Sequence, residues 1–152
     1  MQLILVLHNL LRWAILFFGL WTFINALTGV LGKRNFTSGD NRSNLLFMIS
    51  CDIQLLLGLV LYFAGGWFNQ LKNDPDFVMH DTYSRFFAVE HASMMILAWI
   101  LVHVGRSAVK KAPAAAVKHK RMLIFFGLAI LLIIAAIPWP FRAIIGQPWF
   151  RI

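Results

Sequence analysis

Four long apolar runs divide the chain, at Leu3–Leu31, Asn44–Phe68, Ser84–Gly105 and Met122–Ile137. An α-helix needs ~20 mostly apolar residues to cross a bilayer, so the pattern predicts four transmembrane helices. The fourth run is short, but it continues into the apolar Pro138-Trp139-Pro140-Phe141, which is expected to complete the crossing. Between the runs lie GKRNFTSGDNRS, NQLKNDPDFVMHDTY and RSAVKKAPAAAVKHKR. The first and third read as short polar connectors rich in turn residues. The middle one, with Asp74-Pro75-Asp76, reads as an ordered loop or a short surface helix. No repeat, low-complexity tail or long linker splits the chain. The expected fold is therefore an all-α membrane protein, with residues 1–152 forming one four-helix transmembrane bundle.

Composition agrees with the pattern. The chain is 60% hydrophobic and 13% charged, with a mean hydropathy of +0.73, whereas a soluble domain carries about 25% charged residues. The net charge of +8 does not point to nucleic acid, because the cations cluster in the short connectors. The lone Cys51 rules out an intramolecular disulfide and a thiol metal cluster, and it reads as a small buried hydrophobe. The first run has no positive leader and is too long for a signal-peptide core, so it is expected to stay as a membrane helix. Nine cations mark one side: Lys33, Arg34, Arg42, Arg106, Lys110, Lys111, Lys118, Lys120 and Arg121. Four mark the other: Lys72, Arg85, Arg142 and Arg151. This bias predicts both termini and the middle connector on the non-cytoplasmic side.

Polar residues inside spans are costly, so each is a functional candidate. His8 and His91 fall on different helices, and a rise of 1.5 Å per residue puts them within about 3 Å of one level in the outer half. Arg12 follows His8 by one turn and Glu90 precedes His91, so an Arg12–Glu90 ion pair between the first and third spans is expected. Asp52 and His103 belong to the inner half and are a second candidate pair, while Gln54 projects to another face. His80 and His119 read as solvated surface histidines.

Two level imidazoles on separate helices suit axial ligation of one haem iron, with the apolar macrocycle filling the bundle. Arg12, Arg85, Arg142 and Trp139 are the candidate partners of its propionates, and Trp13, Phe86 and Phe87 are candidate walls. The absence of CxxCH excludes a covalently attached c-type haem. Copper through Met94 or Met95 is a weaker reading, and zinc-hydrolase and nucleotide-binding motifs are missing. Trp67, Trp139 and Trp149 fit an outer aromatic belt, part of which is a candidate quinone pocket.

Four segments (LHNLLRW, QLLLGLVLYF, RFFAVEHASMM and AIPWPFR) resemble a family of short four-span bacterial membrane proteins, common in Bacteroidota and labelled cytochrome b. The resemblance covers essentially the whole chain. It implies a b-type haem protein of the bacterial inner membrane, with His8 and His91 as the matching ligands. Unlike b-type cytochromes with paired histidines for two haems, this chain has no histidine in its second span, so one haem is expected. The leading expectation is electron transfer with quinol or a partner subunit, in a complex or a homodimer. The rival is a haem-free accessory subunit in which His8, Arg12, Glu90 and His91 clamp the first and third helices. A small transporter using Asp52 and His103 is a third alternative.

Overall fold

Backbone groups in hydrocarbon must satisfy each other, and an apolar run does so by closing into a helix. The computed structural model describes residues 1–151. In chain order these form α1 (Gln2–Leu31), α2 (Ser38–Ala64), α3 (Trp67–Asn73), α4 (Pro75–His80), α5 (Thr82–Arg85), a π-helical turn (Phe86–Glu90), α6 (His91–Lys110) and α7 (Ala115–Ala136). Helix α5, the π turn and α6 run on as one rod from Thr82 to Lys110. This rod, α1, α2 and α7 are the four helices among the described residues that are long and apolar enough to cross a membrane. They form a four-helix bundle and make the chain a multi-pass membrane protein.

The boundaries differ from hydropathy where polar residues extend the helices. α2 begins at Ser38 rather than Asn44 because Thr37 and Asp40 form a reciprocal capping box. Arg34 then forks onto both oxygens of Asp40, at 2.6 and 2.7 Å. At the other connector, α6 continues through Arg106. This residue is not in a loop but buried, donating to Asn44 Oδ1 and to the Asn41 carbonyl. His119 corrects a second expectation: it lies inside α7 and is fully buried, not solvated. His80 is exposed, as expected. The middle connector is two short helices, α3 and α4, the latter opened by Pro75 and capped by Asp74.

The C-terminal segment does not extend the fourth crossing. α7 ends at Ala136, because Pro138 and Pro140 lack the N–H groups that would continue its ladder. The chain turns back, and Gln147 N–H donates to the Pro138 carbonyl at 3.0 Å. The tail is then tied to α1: Arg12 Nη2 and Trp13 Nε1 both donate to the Trp149 carbonyl, at 2.7 and 3.2 Å.

Packing is uneven along the bundle. At the basic end, Thr22, Ala26, Phe47, Val102, Met122 and Phe126 are fully buried. Small residues let the helices approach there: Gly19 lies against Phe47 and Gly29 against His119. Toward the opposite end, α2 buries nothing fully beyond Cys51, and α6 nothing before Ala98. The helices part at this end, which is the end holding His8 and His91.

Candidate functional site

The site starts from two prolines. In a continuing helix, Pro138 would donate to Ile134 and Pro140 to Ala136, but neither residue has an N–H. Side chains take both orphaned carbonyls: Trp139 Nε1 donates to Ile134 at 2.9 Å and His91 Nδ1 donates to Ala136 at 2.8 Å. A carbonyl can only accept, so Nδ1 of His91 carries the hydrogen, and a neutral ring presents its lone pair at Nε2. This is the arrangement that orients an imidazole as a metal ligand. The π turn directly precedes His91 and closes with the His91 N–H on the Phe86 carbonyl. Such single turns insert one residue into a helix and recur at functional sites.

His8 is positioned by α2. A Cβ on Gly58 would lie 3.3 Å from His8 Cε1, so the glycine provides the space the ring occupies. Gln54 Nε2 donates to the His8 carbonyl at 3.0 Å, bringing α2 to the same level. His8 Nδ1 and Gln54 Oε1 are buried without a hydrogen-bond partner. Unlike His91, His8 therefore has no protein partner at Nδ1 among the described residues.

The two imidazoles meet edge-on from different helices, with ring centroids 6.4 Å apart and planes at 70°. Both line a cavity of about 690 Å³ between α1, α2 and the third rod, well within the ~300–1,000 Å³ of ligand sites. Its walls are mostly apolar, with Tyr62, Trp67, Tyr83, Phe87 and Trp99 supplying aromatic surface. Imidazole nitrogen binds a transition metal at about 2.0–2.1 Å, so two rings on opposite sides of one metal have centroids roughly 6–6.5 Å apart. No cluster of three or more His, Cys, Asp or Glu exists among the described residues. Two histidines suffice for a metal that arrives with four ligands of its own, as iron does in a porphyrin.

The remaining expected site residues divide. Arg12 lines the cavity and is 6% exposed. The expected Arg12–Glu90 pair is not formed. Arg12 is drawn to the tail carbonyls, while Glu90 accepts from Arg85 Nε at 2.8 Å. Five residues apart on a regular α-helix, Arg85 and Glu90 would point about 140° apart. The intervening π turn brings them together, something no α-helical spacing reveals. Arg85, Arg142 and Trp139 lie outside the cavity lining. Arg85 is held by Glu90 and the Met79 carbonyl. Arg142 donates to the Ala135 carbonyl and lies over the Phe86 ring, at 4.9 Å from its centroid. Trp13 packs on the tail, stacked on Phe150, whereas Phe87 is a cavity wall and Phe86 is buried beside His91.

Sequence reasoning missed Gly58, Tyr62 and Gln147 and named Gln54 and Arg151 without assigning them to the site; all five line the cavity. Gly58 carried a usable signal, since glycine in a membrane helix marks close approach. Arg151 did not, because only the returning tail places it there. Asp52 and His103 do meet, at 3.2 Å, on the α2–α6 seam and outside the cavity lining. Comparison with protein-family models, with curated proteins and with solved structures yields no match to this chain.

Proposed function

We propose that the protein is a b-type cytochrome of a bacterial inner membrane that holds one haem between His8 and His91. The observation that supports it most is the pair of imidazoles with centroids 6.4 Å apart, both lining an apolar cavity, one of them fixed through Nδ1 to a backbone carbonyl. Such a haem supplies a reversible one-electron change at its iron. The protein's part is to present two neutral nitrogens, to exclude water with aromatic walls, and to set cations beside the carboxylates of the macrocycle. Arg12 and Arg151 are the lining cations suited to that last task, in place of Arg85 and Arg142. The loop charges favour this end on the non-cytoplasmic side. Electrons then pass between quinol in the bilayer and a partner subunit, or a second copy, at that face. The haem-free clamp gains no support from the site, since its Arg12–Glu90 tie is not made.

Protein purified from haem-replete cells is expected to show a b-type reduced-minus-oxidised spectrum. His8→Ala and His91→Ala should each abolish it while leaving the helical circular dichroism intact. A folded, colourless wild type would overturn the proposal.

A further inference from the structure

The seam between α2 and α6 carries a second polar cluster that the haem site does not use. Asp52 Oδ1 accepts from the Trp99 indole at 2.7 Å and meets His103 Nε2 at 3.2 Å. His103 Nδ1 lies 3.1 Å from the Trp99 carbonyl, which can only accept, so Nδ1 carries a hydrogen. The second ring nitrogen, Nε2, is the one beside the carboxyl group.

Depth makes the pair unusual. Asp52 lies 14 residues from Ser38 and 12 from Ala64, or ~20 Å from either end of its helix. At that level the bundle is surrounded by hydrocarbon, yet 36% of the Asp52 side chain and 34% of the His103 side chain are exposed. Asp52 Oδ2 has no hydrogen bond among the described residues. Polar groups that only glue helices together are turned inward onto each other. This pair keeps a free oxygen and a third of both surfaces toward lipid, where unmet polar groups are costly.

We propose that Asp52 and His103, backed by Trp99, bind the head group of a lipid-soluble quinone or hydroquinone that enters sideways between α2 and α6. A ligand reaching this depth must dissolve in hydrocarbon, and it must offer oxygen chemistry to a donor–acceptor pair. A quinone oxygen is a carbonyl when oxidised and a hydroxyl when reduced, and an imidazole nitrogen beside a carboxyl group with a free oxygen offers hydrogen-bonding partners to both. Exposed Ile53, Leu56, Ile100 and Val104 flank the pair with apolar surface for the rest of the molecule. Trp99 lines the cavity on its other side, so the seam adjoins the His8–His91 site. As a route for electrons the proposal rests on the haem reading; as a binding site it is tested without haem.

The test is a titration of haem-free protein in lipid nanodiscs with decylubiquinone, followed by tryptophan emission. Trp99→Phe identifies the share of the signal that belongs to Trp99. Saturable quenching is expected in the wild type, absent in Trp99→Phe and weakened about ten-fold or more in Asp52→Asn and His103→Gln. Asp52→Asn keeps an oxygen for the Trp99 indole, so the bundle should persist, and it should still take up haem. Failure here would leave the haem reading standing. Quenching that rises only in proportion to quinone in the membrane would overturn the proposal, as would unchanged affinity in Asp52→Asn. Self-association that depends on Asp52, with no saturable quenching in the wild type, would also overturn it and make the seam an interface between copies.

Discussion

At the residue scale, single glycines decide where the buried imidazoles go. His119 is fully buried beside Phe36, in the space that Gly29 leaves open on α1. A Cβ on Gly29 would overlap the His119 ring, and no movement of a flexible chain end relieves that clash. Gly29→Ala is therefore expected to destabilise the bundle by about 1–3 kcal/mol, the usual range for overpacking. Reversible unfolding in mixed micelles checks it, and His119→Ala in the same background should recover most of the loss. The expectation of a solvated His119 failed because its neighbours Lys118 and Lys120 suggest a loop, while the glycine that receives it lies 90 positions away. The level of His8 and His91 was legible, since helical rise alone places them together. The partner of Arg12 was not, because two carbonyls of a folded-back tail have no signature in periodicity.

At the element scale, the end of α7 controls the orientation of His91. Pro140 denies Ala136 its helical donor, and His91 Nδ1 takes the vacancy at 2.8 Å. Pro140→Ala restores a competing N–H four residues on. Loss of such a supporting hydrogen bond typically costs 10–100-fold in metal affinity. A weakening of haem uptake in that range is expected in Pro140→Ala, with helical content unchanged, measured by haem titration. The long apolar runs made all four crossings legible. Their ends were not, because α2 is extended by the Thr37–Asp40 capping box and α6 by the buried Arg106, both polar features that a hydropathy window scores as loop. The prolines of AIPWP were visible as breakers, but which side chains would claim the carbonyls they orphan depends on tertiary contact.

At the scale of the whole molecule, one end is closely packed and the other holds the cavity. Basic loops join the helices at the packed end, and the cavity end carries the short helices α3 and α4 and the returning tail. The loop charges predict the cavity end outside the cytoplasm. Single cysteines at exposed Asp76 and Ala114 test this, because Cys51 is buried and should not compete. In intact spheroplasts, a membrane-impermeant maleimide should label Asp76→Cys and spare Ala114→Cys until the membrane is opened. The reverse pattern would invert the topology.

The proposed haem site is tested most directly by titrating haemin into the purified wild-type protein and reading its stoichiometry and spin state. Binding of one haem per chain, six-coordinate and low-spin in both redox states, is the expected result for His8 and His91 as paired axial ligands. Haem that binds without fixed stoichiometry, or that keeps the same six-coordinate spectrum in His8→Ala and His91→Ala, would contradict it.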